Sequence, residues 1–197
     1  MPIDPSKFHL TNVVDTCAVW NVLSSRRLYS VARQACCSFC CTWFIRYECL
    51  DKPRSRMSPA EEDLRDRLRQ AIDRHEIIVC PLEVDDLLEV EALEQRKRLG
   101  KGELSVMVLA KKLGQGVLTD DQKARRLAET ALNGIPVQTT PHLLGWLIFT
   151  GRLTDVDKDE IIAEHRAVKR PLTEYFEEAY REALRCRQME SSRKWLE

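Results

Sequence analysis

Five carboxylates of this chain stand beside apolar runs, and grouped carboxylates can bind cations. They are Asp15, Glu48, Glu103, Asp120 and Asp121. Carboxylates brought together repel one another, so each would take up a proton unless a cation neutralised the group. Mg²⁺ and Mn²⁺ prefer oxygen ligands and are natural neutralisers. The five acids are therefore candidate ligands for divalent metal ions, provided that the fold brings them together.

Each acid taken alone also has an ordinary structural explanation. Asp15 and Asp120 are suitable N-caps, and Glu103 is favourable in the first turn of a helix. Glu48 could pair with Arg46 or face solvent. Because caps are common, the functional interpretation depends on the set of acids and not on any one of them.

The elements that must position these acids follow from the apolar pattern. Short β-branched runs alternate with longer helical stretches, which predicts an α/β fold with a parallel sheet. Strands are predicted at 12–14, 38–41, 77–80, 116–119 and 135–137. Asp15 ends the first strand, and the Asp120–Asp121 pair follows the fourth. The carboxyl ends of parallel strands share one edge, where ligands collect in open α/β folds, so these acids should converge.

Predicted helices carry the other two acids. Thr42 opens an apolar helix that contains Glu48, and Glu103 begins another apolar helix directly after Gly102. A charged helix is predicted between them at 84–98.

Beyond the last strand the chain is predicted to be helical, with starts at Thr140, Thr154 and Thr173. The third of these helices has an amphipathic face with i, i+3, i+4, i+7 spacing. This face consists of Phe176, Ala179, Tyr180 and Ala183. Its partner is either the chain's own core or a second protein chain, and periodicity does not decide between them. We predict one domain over residues 1–150 and a C-terminal helical extension over residues 151–197.

The composition restricts where the chain can contact nucleic acid. The 31 basic residues are balanced by 31 acidic ones, so any contact with phosphate groups must be local. One local basic cluster contains Lys123, Arg125 and Arg126, and it reads equally well as the polar side of an amphipathic helix. The N-terminus lacks the apolar segment of a secretory signal, and the longest apolar run, 143–149, is too short to span a bilayer. We therefore expect a cytoplasmic protein that does not enter a membrane.

The eight cysteines are expected to be reduced thiols in that compartment. Four of them, Cys36, Cys37, Cys40 and Cys41, include a C-x-x-C spacing that is typical of zinc sites. A structural zinc site needs a second pair of ligands at comparable spacing, and none follows. The sequence favours packing of these thiols in a buried strand and leaves metal binding as the alternative.

Four stretches of the sequence resemble the acidic motifs of PIN-domain nucleases, in the same order. They are 14–21 (VDTCAVWN), 45–50 (IRYECL), 102–105 (GELS) and 118–125 (LTDDQKAR). The resemblance covers about 12–137 and is greatest to small prokaryotic, VapC-toxin-like PIN proteins, many of which are toxins of toxin–antitoxin systems. Each motif is short, so the ordered set carries the resemblance.

The resemblance implies an α/β/α sandwich with a central parallel sheet of four to five strands. It implies a metal-dependent endoribonuclease that hydrolyses RNA with Mg²⁺ or Mn²⁺ bound by Asp15, Glu48, Glu103 and Asp121, with Asp120 competing for the last position. Thr16 and Thr119 would orient carboxylates or water. Arg125 and Arg126 follow the acidic pair within a turn or two, so we expect one of them, with Arg125 as the candidate, to hold the RNA backbone. An antitoxin and a second copy of the chain are the further partners it suggests. The cysteine-rich second strand and the long C-terminal extension depart from the family pattern.

Two other classes of protein remain as alternatives. A non-catalytic binding module could keep the fold and dock a partner through its C-terminal helices. A phosphoacceptor receiver domain also places aspartates at strand ends, but it has a paired-aspartate loop near its N-terminus. Asp15 follows two valines and stands alone, which disfavours a receiver.

Overall fold

Five parallel strands form the centre of the computed structural model, which describes residues 4–54, 56–96, 99–170 and 172–194. The strands are β1 (Thr11–Val14), β2 (Ser38–Thr42), β3 (Ile77–Cys80), β4 (Gly116–Leu118) and β5 (Val137–Gln138). Their spatial order is β3-β2-β1-β4-β5. A receiver domain has the order 2-1-3-4-5, so the strand order excludes that alternative. The predicted α/β/α architecture with a parallel sheet is confirmed, and the sheet has five strands.

The register of the sheet fixes which residues meet at its carboxyl edge. β1 pairs with β4 so that Val14 lies beside Leu118. Both residues are buried, as expected for central strands covered on two faces. The next residues along the chain, Asp15 and Thr119, therefore emerge side by side at the same edge.

Ten α-helices within the described residues surround the sheet. They are α1 (Thr16–Ser24), α2 (Arg26–Gln34), α3 (Trp43–Arg46), α4 (Pro59–Asp73), α5 (Val84–Arg96), α6 (Lys101–Leu113), α7 (Gln122–Ala131), α8 (Thr140–Phe149), α9 (Asp155–Ala167) and α10 (Thr173–Lys194). A π-helical turn, Tyr47–Asp51, continues α3. The predicted end of the charged helix, at 97–98, lies outside the described residues. The first predicted helix is two helices, because Ser25 ends α1 and caps α2 with its hydroxyl.

The helices that follow β1, β2 and β4 begin at polar caps on the edge of the sheet. Asp15 caps α1, Thr42 caps α3 and Asp121 caps α7, each accepting a backbone N–H from the first turn. Such caps satisfy donors that a helix start otherwise leaves free. The local signals that start the helices thus also bring two of the five acids to this edge.

The amphipathic face of α10 packs against the chain's own core. Phe176, Ala179 and Ala183 are fully buried. The close approach of α8 and α10 requires a small residue, because a Cβ at Gly145 would lie 3.2 Å from the carbonyl oxygen of Ala179. Of the two partners considered for this face, the structure shows the chain's own helices. The division at residue 150 stays a prediction.

The cysteines pack largely as small apolar side chains. Cys37, Cys40 and Cys41 are buried free thiols, whereas Cys36 is exposed. Burial raises the pKa of the Cys41 thiol to about 12, which disfavours the thiolate that a zinc site requires.

No helix among the described residues is both long enough and apolar enough to cross a membrane.

Candidate active site

Asp15 is the most deeply buried acid at the carboxyl edge of the sheet, with 2% of its surface exposed. The Ala18 N–H donates to its Oδ1 at 2.7 Å, and the Thr119 hydroxyl donates to its Oδ2. Burial, with smaller contributions from the charges of Asp120 and Glu103, raises the pKa of Asp15 to about 7 despite these two hydrogen bonds. Asp15 therefore lies among like charges in a site that water barely reaches.

Glu48 reaches the same edge from the π-helical turn. Its Oε2 accepts a hydrogen bond of 2.6 Å from the Thr16 hydroxyl. Its Oε1 lies against the backbone of α6, where a Cβ at Gly102 would be only 2.7 Å away. Glycine is thus required at position 102 for Glu48 to occupy this place, and the contact brings Glu48 next to the start of α6.

Glu103 interacts electrostatically with three of the other acids. Its Oε2 accepts the Gly100 N–H at 2.9 Å, which completes the cap of α6. Partial burial raises the pKa of Glu103, and the charges of Asp121 and Glu48 raise it further, whereas Lys123 lowers it. Since Glu103 also acts on Asp15, the four acids Asp15, Glu48, Glu103 and Asp121 are linked electrostatically.

The two members of the aspartate pair have different surroundings. Asp120 uses both carboxylate oxygens, accepting bonds from the Asn21 amide (2.8 Å), the Thr140 N–H (2.8 Å) and the Thr140 hydroxyl (2.5 Å). Among the residues that the structure describes, Asp121 is bonded through Oδ1, which accepts the N–H groups of Lys123 (2.7 Å) and Ala124 (2.8 Å), and not through Oδ2. Asp120 thus fastens α1 to α8, while Asp121 keeps an oxygen available.

The acids do not surround a single point in this structure. Across the described ranges, no three His, Cys, Asp or Glu side chains stand close enough together to hold one metal ion. Backbone amides hold one oxygen each of Asp15, Glu103 and Asp121. Burial is the main cause of the raised pKa values of Asp15 and Glu103, and the charges of neighbouring carboxylates add to it. An oxygen-only donor set of this charge suits a hard divalent cation.

Three side chains that were not among the predicted site residues also lie at this site. Asn21 holds Asp120, and Lys123 offsets the charge of Glu103. Arg54 lies beside Glu48, with its Nη2 3.5 Å from the Glu48 carbonyl oxygen. A polar residue inside the apolar α1 was a signal for Asn21, whereas the signal for Arg54 was only its place with Arg56 in a short basic cluster.

Arg125 lines a cavity of about 330 Å³ whose other walls include Gln138, Thr139 and His142. This cavity lies toward β5 and α8. Lys123 is a basic residue whose charge acts on Glu103.

Comparison with known families identifies the chain. A family model described as a PIN domain matches residues 55–170, which is more than half of the sequence. No curated protein and no solved structure matches it. The matched range contains Glu103, Asp120 and Asp121, whereas Asp15 and Glu48 precede it. PIN domains have a nuclease-type fold and are generally nucleases. The chain belongs to the PIN-domain family.

Proposed function

We propose that this protein is a metal-dependent endoribonuclease that hydrolyses RNA phosphodiester bonds beside Asp15. The observation that carries the proposal is a buried carboxylate, Asp15, whose pKa is raised to about 7 among other acids. Burying a charge without a partner is costly, so the arrangement is explained if the working state includes a cation.

Asp15, Glu48, Glu103 and Asp121 are the residues that would hold Mg²⁺ or Mn²⁺. When bound, such an ion neutralises charge on the phosphoryl group and activates water for in-line attack. The chain contributes orientation: Thr119 fixes one oxygen of Asp15 and Thr16 fixes one oxygen of Glu48. Both threonines are positioning residues in this proposal.

Basic side chains at the margin of the site would bind the RNA backbone. Lys123 and Arg54 are near Glu103 and Glu48, respectively. A basic side chain in this place can bind phosphate oxygens directly, and an arginine can do so with two parallel hydrogen bonds. The role predicted for Arg125 is retained as a secondary one, because its cavity lies on the β5 side.

The experiment is cleavage of labelled single-stranded RNA by the purified protein in Mn²⁺ or Mg²⁺. We expect Asp15→Asn to lose at least about 100-fold in rate, since it removes a carboxylate from the metal site. Asp73→Asn changes an exposed acid on α4 and serves as the matched control. Equal cleavage by the unmodified protein and Asp15→Asn, or cleavage that persists in excess chelator, would refute the proposal.

The biological role that we propose is that of a toxin in a toxin–antitoxin system, and only the resemblance to small prokaryotic PIN proteins supports it. Expression of the chain in a bacterial host should then arrest growth, and Asp15→Asn should not. Normal growth with the unmodified protein at matched expression would count against the role. An antitoxin and a second copy of the chain remain the predicted protein partners.

The binding-module alternative used the C-terminal helices as a docking face. Phe176, Ala179 and Ala183 on that face are buried against the same chain. This packing disfavours the alternative, because docking through these residues would require α10 to leave α8.

A further inference from the structure

A cavity of about 400 Å³ lies between α2 and α4. One face of α2 lines it, with residues at the helical spacing i, i+3, i+4, i+7 and i+8. These residues are Arg26, Tyr29, Ser30, Arg33 and Gln34. The volume lies within the range that is typical of small-molecule sites. The cavity is therefore large enough for a small ligand.

The opposite side of the cavity is one face of α4. Its residues have the same helical spacing, and the last of them caps the helix at its C-terminus. They are Arg67, Gln70, Ala71 and Arg74, and Glu76 follows them in the lining. Each of the two helices thus places two arginines, seven residues apart, on its face toward the cavity.

The charges at this cavity are not balanced. Four arginines line it together with one carboxylate, that of Glu76. Asp63, outside the lining, pairs with Arg26 at 3.4 Å and with Arg67 at 2.6 Å. One carboxylate thus serves two arginines. Two positive charges remain without a compensating carboxylate, even when Asp63 is counted.

The uncompensated charge lies at the end of the cavity that holds Arg33 and Arg74. Neither forms an ion pair with a carboxylate of the described residues, and Arg33 has a long hydrogen bond, 3.4 Å, to the Cys37 carbonyl oxygen. The Tyr29 hydroxyl donates to Glu76 at 3.1 Å. Burial and Glu76 raise the pKa of Tyr29, whereas the charges of Arg33 and Arg74 lower it. Both guanidinium groups therefore act on the same polar end of the cavity.

This end of the cavity lies at the edge of the sheet opposite to the acids. Arg74 and Glu76 stand just before β3, and Arg33 lies near the end of α2, which leads into β2. In a parallel sheet all strands begin at one edge and end at the other, where Asp15 follows β1. A strand of this length separates the two edges by roughly 13 Å. An occupant of the cavity is therefore held by residues other than the acids.

We propose that this cavity binds a small ligand through a phosphate group, which Arg33 and Arg74 hold. A phosphate monoester carries about 1.5 to 2 negative charges at neutral pH, which matches the uncompensated positive charge better than a single carboxylate does. Its oxygens accept the paired N–H groups of a guanidinium. Ser30, Gln34 and Gln70 offer hydrogen bonds to the remainder of the ligand. The inference goes beyond the proposed function and does not depend on it.

Isothermal titration calorimetry of the metal-free protein at low ionic strength tests this inference. The probes are inorganic phosphate, adenosine 5′-monophosphate (AMP) and uncharged adenosine. We expect phosphate and AMP to bind at one site per chain, in competition with each other, and adenosine not to bind. Tighter binding of AMP would identify an organic phosphate ester as the ligand, and equal affinities would identify free phosphate. Both results support the site.

Arginine variants locate the bound phosphate. Arg33→Gln and Arg74→Gln should each weaken phosphate and AMP binding at least about 10-fold, because each removes a charge-assisted hydrogen bond. Arg181→Gln removes the same charge from an exposed position on α10 and is the matched control. Arg74 is exposed and Arg33 is partly exposed, so both variants should keep the fold, and thermal unfolding curves verify this.

A second pair of variants tests the cavity without removing an arginine. Ser30→Asp places a carboxylate in the lining and should abolish binding by repulsion, whereas Ser30→Asn has nearly the shape of that variant without its charge and should retain binding. Ser30 is exposed on α2, so neither change disturbs the core.

The inference is overturned if neither phosphate nor AMP binds, or if Arg33→Gln and Arg74→Gln bind both as tightly as the parent does. An equal loss in Arg181→Gln would show a general effect of net charge and would also overturn it. So would a loss of AMP binding in Asp15→Asn, because the ligand would then lie at the acids. Finally, if the two arginine variants weaken binding of a labelled RNA more than binding of AMP, the cavity is an RNA contact and not a small-ligand site.

Discussion

Replacing Asp15 with asparagine should make the metal-free protein more stable. Asparagine has nearly the same shape as aspartate, and its Oδ1 can still accept the Ala18 N–H that caps α1. It carries no charge, so the cost of burying a carboxylate near Asp120 and Glu103 is removed. A substitution that abolishes cleavage is thereby expected to stabilise the fold, which is typical where function maintains a strained site.

The size of the effect follows from the pKa. Its rise from 3.8 in the unfolded chain to about 7 in the fold corresponds to about 4 kcal/mol. The folded state favours the protonated acid. Asp15 therefore does not destabilise the unmodified protein well below pH 3.8, and it lowers the free energy of unfolding progressively as the pH rises to about 7. The Thr119 hydroxyl loses its acceptor in Asp15→Asn, which costs about 1 kcal/mol. We therefore expect a net gain of about 3 kcal/mol at pH 8.

Urea unfolding in the presence of chelator measures this difference. Curves are collected at pH 4 and pH 8 for the unmodified protein, Asp15→Asn and Asp73→Asn. At pH 4 Asp15 is protonated in the folded protein and roughly half protonated in the unfolded chain, so most of its cost is absent and the first two proteins should agree within about 1 kcal/mol. Asp73→Asn should follow the unmodified protein at both pH values, because Asp73 is exposed.

Manganese supplies the complementary measurement. At about 100 times the dissociation constant, a ligand stabilises the fold by about 2.7 kcal/mol, so Mn²⁺ should recover most of the deficit of the unmodified protein at pH 8. Asp15→Asn should respond far less. A gap between the two proteins that is the same at pH 4 and pH 8, or an Asp15→Asn protein that is less stable at pH 8, would refute the reasoning.

The other predictions concern the supports of the site and the C-terminal packing. Gly102→Ala should displace Glu48, whose Oε1 would lie 2.7 Å from the new Cβ. Mn²⁺-dependent cleavage should then fall at least about 10-fold, with little change in urea unfolding. Full activity of this variant would contradict the prediction. Asp120→Ala should lower unfolding stability by about 2 kcal/mol, because Asn21 and Thr140 lose an acceptor; an unchanged urea midpoint would contradict it. Phe176→Ala should cost about 3–5 kcal/mol, since the ring is fully buried; a loss below about 1 kcal/mol would show that α10 is not part of the core.

The strands and helix starts could be predicted from the sequence because their signals are local. The apolar run before Asp15 and the capping hydroxyl of Thr42 act on their own neighbours in the chain, and both are found where they were expected. The parallel sheet follows from the alternation of strands and helices. The split of the first helix at Ser25 was not predicted, since a serine inside an amphipathic pattern has no fixed meaning.

The detailed geometry of the site depends on contacts between distant segments. The Glu48 carboxylate packs against Gly102. These two residues belong to separate elements, and their spacing in the sequence does not predict the contact. The difference between Asp120 and Asp121 arises from Asn21 and Thr140, which approach only after α1 and α8 have packed. For the same reason, periodicity alone could not decide whether α10 packs on its own chain.

The shared cation is the central claim, and anomalous diffraction from crystals soaked in Mn²⁺ tests it most directly. We expect an anomalous peak at the carboxyl edge of the sheet, with oxygens of Asp15 and Asp121 at roughly 2.1 Å, the distance typical of small hard divalent ions. Movement of Glu48 or Glu103 toward the ion would complete the site. Crystals that bind Mn²⁺ only elsewhere, with all four acids still held by their present hydrogen bonds, would contradict the account.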